Sequence, residues 1–309
     1  MFKSYVLLLI TVIIFAGNLL VGRAINDLPA FTITFFRCFI ALLIILPFGI
    51  KQLKAKRELF KKEWKPLIGM GFTGIILFNL LVYSSLVYTT STNAAIVETT
   101  APIFTIIIGA LFLKERLNKL QYFGMVLSLT GAIWVITKGS WQVITGLQFN
   151  IGDIIMLVAM LMWSIYSILV KEHNSKYPAY GGLTIMLSLA VVVLFPFALV
   201  EWLRGIESLF TLEKILGLLY LGIFPSIIAL MFWNKGVQDI GPSRASIFLN
   251  LLPVFTIIGA VLFLGEKVIW AQLFGGFLVI TGVILSTRGK GKRKDVMQEE
   301  KLTDKSIKV

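Results

Sequence analysis

Two charged side chains lie inside apolar runs of the sequence. Glu98 stands in AAIVETTAPIFTII and Arg37 stands in FFRCFI. A charge within a membrane span costs about 2.5–3.5 kcal/mol on insertion scales, so such residues usually line a substrate or ion pathway. We therefore interpret Glu98 as a residue that faces a central cavity and holds a substrate ammonium or a coupling proton. The alternative is a structural ion pair between Glu98 and either Arg37 or Lys267.

Uncharged polar and aromatic residues in the other apolar runs could line the same cavity. They offer hydrogen bonds and stacking faces to an amphipathic solute, although each alone could instead join two helices or anchor at the interface. These candidates are Asn18, Asn79, Tyr83, Trp163, Tyr166, Trp233, Asn234 and Asn250. Pro102 and Pro253 are predicted hinges, because a proline in the middle of a helix removes a backbone hydrogen bond. Packing kinks are the alternative.

Sequence motifs for cofactor chemistry are missing. The chain has no Walker loop, no Gly-x-Ser-x-Gly elbow and no His-Glu-x-x-His motif, and it has a single cysteine, Cys38. We therefore expect no cofactor, no metal site and no enzymatic activity. An intramembrane enzyme acting on a lipid-linked substrate would need two convergent reactive groups, for which Glu98 and Arg37 alone qualify.

The apolar runs that carry these residues are long enough to be membrane-spanning helices. Of the 309 residues, 57% are apolar and 15% are charged, against about 45–50% and about 25% in soluble domains. A spanning helix needs about 20 residues, whereas a barrel strand needs about 9–11. The sequence therefore predicts an all-α membrane protein with ten transmembrane helices. These lie at 5–25, 30–50, 66–88, 93–113, 120–137, 151–170, 180–201, 215–234, 244–264 and 269–287.

Lys and Arg residues fall mainly on one set of alternate connections. About 23 lie on the set that includes both termini, and five lie on the other set. Because cytoplasmic loops are enriched in Lys and Arg, both termini are predicted to be cytoplasmic in the cell membrane. Lys56 and Lys294 would be inside, and Lys138 and Glu207 outside. The net charge of +13 follows from this bias and is expected to attract anionic lipids of the bilayer. No nucleic-acid partner is expected.

The chain contains an internal repeat. Residues 95–133, AIVETTAPIFTIIIGALFLKERLNKLQYFGMVLSLTGAI, align without gaps on residues 246–284, SIFLNLLPVFTIIGAVLFLGEKVIWAQLFGGFLVITGVI. Pro102 aligns with Pro253, and Glu115 with Glu266. A looser similarity joins Phe15–Arg23 to Trp163–Lys171. Two copies of five helices enter the membrane from opposite faces, so the repeats are predicted to be inverted.

This repeat divides the chain into a first five-helix unit at 1–142 and a second at 143–288. A basic tail at 289–309 is predicted to be cytoplasmic and disordered. Glycines at packing distance, such as Gly275, Gly276 and Gly282, favour close helix contacts. A homodimer through helix 5 or helix 10 is one expectation from them.

The paired signatures APIFTIIIGALFLKER (101–116) and LPVFTIIGAVLFLGEK (252–267) resemble the EamA branch of the drug/metabolite transporter superfamily. The likeness extends to about Thr287. It implies a secondary transporter, and specifically an exporter, that moves a small polar metabolite such as an amino acid by alternating access. One departure is Met186, which stands near the position of Arg37 in the second repeat. A non-transporting membrane protein or a lipid-carrier flippase is the alternative.

Overall fold

The structure, a computed structural model, describes residues 2–89, 91–115, 117–146, 150–205, 211–264 and 269–288. Several residues named in the sequence predictions lie outside these ranges. They are Glu207, Glu266, Lys267, Lys294 and the tail at 289–309.

Every regular element in the described ranges is a helix. Among these residues, nine helices are long and apolar enough to cross a membrane. We number the helices α1 (Phe2–Ala24), α2 (Ala30–Ala55), α3 (Trp64–Tyr88), α4 (91–112), α5 (Lys119–Ile136), α6 (Ile151–His173), α7 (Ala179–Leu203), α8 (Leu212–Ile240), α9 (242–264) and α10 (Trp270–Thr287). The predicted all-α multi-pass architecture is confirmed. The tenth crossing, by α4, stays a prediction, because its apolar helix is shorter.

Four of these helices are interrupted. A π-helical segment occupies Gly71–Leu77 in α3, and another occupies Phe224–Ala229 in α8. Helix α4 consists of α4a (Ser91–Glu98) and α4b (Ala101–Phe112). Helix α9 consists of α9a (Pro242–Ile247), a 3₁₀ turn at Phe248–Leu251, and α9b (Leu252–Leu264). The interruptions thus fall on the third and fourth helices of both predicted repeats.

The two predicted hinge prolines do not lie in the middle of a helix. Pro102 is the second residue of α4b, and Pro253 is the second residue of α9b. The first N–H groups of a helix have no partner within it, so proline removes no hydrogen bond there. The prediction that each proline removes a hydrogen bond in the middle of a helix is therefore wrong. Each proline begins a new helical piece after a break, and neither kinks a continuous helix.

The helices pack in pairs that correspond when the two predicted repeats are exchanged. Helix α1 packs against α8, and α3 packs against α6. Helix α2 packs against α7, and α5 against α10. When the repeats are exchanged, α1 becomes α6 and α8 becomes α3, so the α1–α8 pair becomes the α3–α6 pair. The α2–α7 and α5–α10 pairs are unchanged by this exchange. This pattern supports the predicted two-fold relation between the repeats.

Helices α5 and α10 approach each other closely along their glycines. A Cβ atom added at Gly282 would lie 2.5 Å from the carbonyl oxygen of Gly124, and one at Gly131 would lie 2.8 Å from that of Gly275. Only glycine permits such an approach of two backbones. These glycine faces are therefore used within one chain, and a homodimer through α5 or α10, which stays a prediction, would need their other faces.

The first helix begins, and the last described helix ends, on the same face of the bundle. The Tyr5 hydroxyl donates to the Thr287 carbonyl at 3.2 Å. We call this the terminal face and the opposite one the distal face. The terminal face holds the contacts Ser4–Asp239 and Glu63–Lys176, and the distal face holds Thr32–Glu201 and Asp27–Lys214. Successive connections between the helices thus lie on alternate faces, as the predicted order of spans requires.

Candidate functional site

A cavity lies between α1, α2, α3, α4a, α6, α7, α8 and α9. About 720 Å³ of space not filled by protein atoms lies within its walls and mouth, and this space includes a part that is open to solvent. Five of the predicted site residues line it. They are Asn18, Arg37, Asn79, Glu98 and Trp163. The fold thus gathers residues from both predicted repeats around one space.

Most of the remaining wall is apolar. It is formed by Phe15, Leu19, Ile75, Phe78, Val82, Met160, Leu187, Pro225, Leu230, Leu249 and Leu252. Such a lining, with a few convergent polar groups, is typical of a small-molecule site. Within the described ranges no group of three or more His, Cys, Asp or Glu side chains could hold a metal ion. The polar chemistry of the cavity therefore depends on its separate polar residues.

Arg37 is the most heavily bonded of these residues. Its side chain is 4% exposed. Its Nε donates to the Ser226 hydroxyl at 2.9 Å, and its Nη1 donates to Asn79 Oδ1 at 2.7 Å, to the Tyr83 hydroxyl at 2.6 Å and to Asn18 Oδ1 at 3.2 Å. All four acceptors are neutral. The guanidinium is therefore held in place without a carboxylate.

Both π-helical segments contribute to this arrangement. Asn79 donates through Nδ2 to the Ile75 carbonyl at 2.8 Å, and Ser226 donates to the Leu221 carbonyl at 2.7 Å. A π-helical segment displaces carbonyl groups from the regular α-helical pattern, and π-bulges are frequent at functional sites. Asn79 and Ser226 each bond a carbonyl at such a segment and also accept from Arg37. Arg37 thereby links α3 to α8.

Glu98 is the acidic residue of the cavity wall. It is the last residue of α4a, directly before the break at 99–100, and its side chain is 9% exposed. The structure shows no ion pair between Glu98 and Arg37, although both line the same space. The alternative partner Lys267 lies outside the described residues. The structure thus does not support the alternative in which Glu98 forms an ion pair with Arg37.

Trp163 belongs to an aromatic cluster at the cavity wall. Its ring centroid lies 4.6 Å from that of Phe78, 5.5 Å from that of Phe15 and 5.1 Å from that of Trp233. Its indole N–H is buried and has no hydrogen-bond partner among the described residues. An unpaired buried donor is costly and calls for an explanation, for which a ligand or water in the cavity is one candidate.

The other five predicted residues do not line the cavity wall. The Tyr83 hydroxyl supports Arg37, as described above. The Tyr166 hydroxyl donates to Asn234 Oδ1 at 2.6 Å, and Trp233 Nε1 donates to the Ser167 hydroxyl at 3.2 Å. These two bonds tie α6 to α8 on the terminal side of the cavity.

Asn250 is also set back from the cavity wall, and it donates to the Ser128 hydroxyl at 2.8 Å. Its side-chain carbonyl oxygen is buried without a partner among the described residues. The bond ties α9 to α5.

Two Tyr–Asn hydrogen bonds occupy corresponding places in the repeats. The Tyr83 hydroxyl donates to Asn18 at 3.2 Å and joins α3 to α1. Tyr166 and Asn234 join α6 to α8 in the same manner. The looser repeat alignment pairs Asn18 with Tyr166, so the tyrosine and asparagine have exchanged helices. Since the α6–α8 bond lies towards the terminal face and the α1–α3 bond towards the distal face, the cavity lies between them.

Sequence reasoning missed Ser226 and Asp153. Ser226 follows a proline in the apolar run LGIFPSIIALMF, and a hydroxyl in such a place is a weak signal. Asp153 is 1% exposed and accepts a hydrogen bond from Thr89 at the distal end of α6. It also closes a capping box with Asn150. Its role is to join α6 to α3 and to cap α6.

Glu115, which lies three residues after α4b, connects two helices. It accepts from the Ser243 hydroxyl at 2.7 Å and from the Ser243 backbone N–H at 3.3 Å. These bonds satisfy donors at the start of α9a, as a capping side chain does. They join α4b to α9 at the terminal face.

Comparisons with known proteins find similar sequences among transporters. A model of the EamA-like transporter family matches residues 2–137 and 150–288. An uncharacterized transporter of Archaeoglobus fulgidus is 28% identical over 92% of this chain and 97% of its own, and the uncharacterized transporter YyaM of Bacillus subtilis is 31% identical over 80% and 79%. A relative from Streptantibioticus cattleyicolor, named "Probable terminal-alkyne amino-acid exporter", is 25% identical over 81% and 80%. A solved crystal structure matches with a TM-score of 0.74 and 16% identity over 92% of this chain and 96% of its own, which shows the shared fold.

Proposed function

The chain belongs to the EamA-like transporter family, and we propose that it is a secondary carrier that exports a small polar metabolite, such as an amino acid, across the cell membrane. The observation that carries the proposal is the pair of buried charges, Arg37 and Glu98, which line one cavity without bonding each other. Charges inside a membrane protein are costly, so they are retained where a substrate or ion pathway needs them.

Alternating access is the mechanism that this architecture favours. Two half-structures related by a two-fold axis in the membrane plane can exchange conformations around a central site. The cavity lies between the Asn18–Tyr83 bond and the Tyr166–Asn234 bond. We propose that these bonds close the two sides of the site in turn. The breaks in α4 and α9, which begin new helical pieces at Pro102 and Pro253, supply the places where the backbone bends.

Glu98 is proposed to carry the coupling proton or to bind a substrate ammonium. It lies at the break of α4, so a change in its charge acts directly on the helix that would move. A neutral carboxyl is compatible with an apolar cavity, whereas an unpaired carboxylate is unfavourable there. A proton or a cationic group must therefore accompany Glu98 when water is excluded from the cavity.

Two observations support an amino acid as the exported solute. The name of the Streptantibioticus cattleyicolor relative refers to an amino-acid exporter, and a cavity with one cation and one acid suits a zwitterion. The predicted orientation, with both termini in the cytoplasm, is part of the same proposal. It rests on the distribution of Lys and Arg.

A tolerance screen tests the proposed function. Cells that overexpress the protein and cells that lack it are grown in a panel of toxic concentrations of metabolites and their analogues. An exporter raises tolerance to its substrate when overexpressed and lowers it when deleted. The matched control is the Glu98→Gln variant at equal membrane abundance, which should give no protection. If overexpression sensitises the cells to a solute, the direction is import and export is refuted.

A further inference from the structure

We propose that Arg37 forms a carboxylate-binding subsite in the cavity, and that Asn79 and Ser226 are positioning residues that keep its charge available. The transported solute would then carry a carboxylate. This inference rests on the proposed carrier function for its biological meaning, but the subsite itself can be measured without transport.

The hydrogen-bond donors of Arg37 are unevenly used. A guanidinium has five N–H donors. Those of Nε and Nη1 point at Ser226, Asn79, Tyr83 and Asn18, whereas no group in the described part of the chain accepts from Nη2. Arg37 is 4% exposed and lines the cavity. Nη2 thus has no acceptor among the described residues, and it is not fully buried, so a solute in the cavity can reach it.

The neutrality of the partners is the second observation. A buried arginine is normally paired with a carboxylate, because an uncompensated charge in an apolar interior is costly. Two of the four partners are asparagines, which differ from aspartate by one group only. An aspartate at Asn18 or Asn79 would neutralise the guanidinium in the same geometry. With neutral acceptors the site keeps its positive charge, and a ligand can supply the negative one.

The single positive charge of Arg37 indicates which class of ligand the cavity would bind. Among the described residues that line the cavity, Arg37 is the single cation. One positive charge is matched by a monoanionic carboxylate, and hydrogen bonds between arginine and a carboxylate are among the strong ones. A doubly charged phosphate would retain an uncompensated charge in a mostly apolar cavity. A carboxylate is therefore the group that we assign to this subsite.

The position of Arg37 also explains why a ligand there would matter to both repeats. Ser226 belongs to the π-helical segment of α8, and Asn79 follows the π-helical segment of α3. Since each of them bonds a carbonyl of its own helix, a pull on the guanidinium is transmitted to one helix of each repeat. Binding of the solute's carboxylate is thus linked to the helices that pack around the cavity.

The test uses acetate, and its neutral isostere acetamide, on the detergent-purified full-length protein. Thermal stability is measured at constant sodium concentration while acetate replaces chloride. We expect acetate to raise the melting temperature of the wild-type protein in a saturable manner, and acetamide to have no such effect. The Asn79→Asp and Asn18→Asp variants should each weaken the apparent acetate affinity about tenfold or more, since the introduced carboxylate takes the place of the ligand.

Two further variants make the result specific. Asn118→Asp adds the same charge at the residue that caps the start of α5, outside the cavity lining, and it should keep the acetate response, because aspartate caps a helix as well as asparagine does. Adding Asn79→Asp to Arg37→Gln should cause no further loss of acetate binding. An absent acetate effect in the wild-type protein overturns the proposal, as does an effect that survives in Asn79→Asp and Asn18→Asp. An acetate effect seen in Glu98→Gln alone would identify Glu98 as the internal counter-charge of Arg37, which also overturns it. None of these results depends on the tolerance screen, so failure of the subsite and failure of the carrier function can be told apart.

Discussion

Arg37 and Glu98 show what can be read from single residues and what cannot. Both could be selected from the sequence, because a charge within an apolar run is rare and costly. Their mutual arrangement could not be predicted. Whether two such charges meet depends on side-chain directions set by Asn18, Asn79 and Ser226, which lie on other helices.

The residue-scale prediction concerns Glu98→Gln. The substitution preserves volume and removes the charge, so membrane abundance and thermal stability should stay close to wild type. Transport should fall about tenfold or more, or lose its dependence on pH, because the group that carries the proton or binds the ammonium is lost. Abundance, melting temperature and transport are measured on the same preparations, with transport followed between about pH 5.5 and 8, a window around physiological pH.

The double variant Glu98→Gln, Arg37→Gln distinguishes this prediction from a structural ion pair. A structural ion pair would make Glu98→Gln unstable and would be rescued by adding Arg37→Gln. In the present arrangement no rescue is expected. Normal transport with an unchanged pH profile in Glu98→Gln would exclude a functional role.

At the scale of elements, hydropathy located the helices well and their interruptions poorly. Apolar run length reflects the thickness of the bilayer, so the ends of helices such as α5 and α10 were predicted closely. Hydropathy did not predict the π-helical segments Gly71–Leu77 and Phe224–Ala229 or the 3₁₀ turn Phe248–Leu251, because it does not report on the pattern of backbone hydrogen bonds. Pro102 and Pro253 marked the right region, but they begin helical pieces and do not bend continuous ones.

Pro102→Ala and Pro253→Ala test the breaks. Alanine restores an N–H and favours helix, which allows α4 or α9 to continue through its interruption. We expect each substitution to slow solute exchange several-fold while equilibrium affinity changes little. Exchange rates and binding isotherms are measured side by side. A large loss of affinity in both variants would place the prolines in solute binding instead.

The contact between α5 and α10 gives a second test at this scale. In Gly282→Ala the new Cβ would lie 2.5 Å from a backbone oxygen that cannot move aside. Overpacking of this kind costs about 1–3 kcal/mol, so the melting temperature and the folded yield should fall. Gly276→Ala is the matched control, because its nearest neighbour would be a Val254 methyl group at 3.9 Å. Equal stability of the two variants would contradict this packing.

At the scale of the whole molecule, the paired signatures predicted the family, and the family-model match confirms it. The inverted repeat and the orientation remain proposals. The exchange-related helix pairs support the repeat, and the orientation rests on the distribution of Lys and Arg. The substrate could not be predicted, because the fold determines a cavity and a few side chains determine what it accepts. A change of Asn79 to aspartate would leave hydropathy almost unchanged and would neutralise the positive charge of Arg37.

Orientation is tested by cysteine labelling of intact cells. The only native cysteine, Cys38, is buried, so introduced cysteines report on their own positions. Lys138→Cys at the distal face should react with an impermeant maleimide, and Lys56→Cys at the terminal face should react only after permeabilisation. Labelling of Lys56→Cys in intact cells would reverse the proposed orientation.

Solute counterflow in proteoliposomes tests the central claim, namely that the cavity of Arg37 and Glu98 is the substrate site of a carrier. The vesicles are loaded with the solute identified by the tolerance screen, and uptake of the labelled solute is followed. We expect saturable exchange of chemically unaltered solute by the wild-type protein, and loss of this exchange in Arg37→Gln at equal reconstitution. Absence of exchange, conversion of the solute, or full exchange by Arg37→Gln would contradict it.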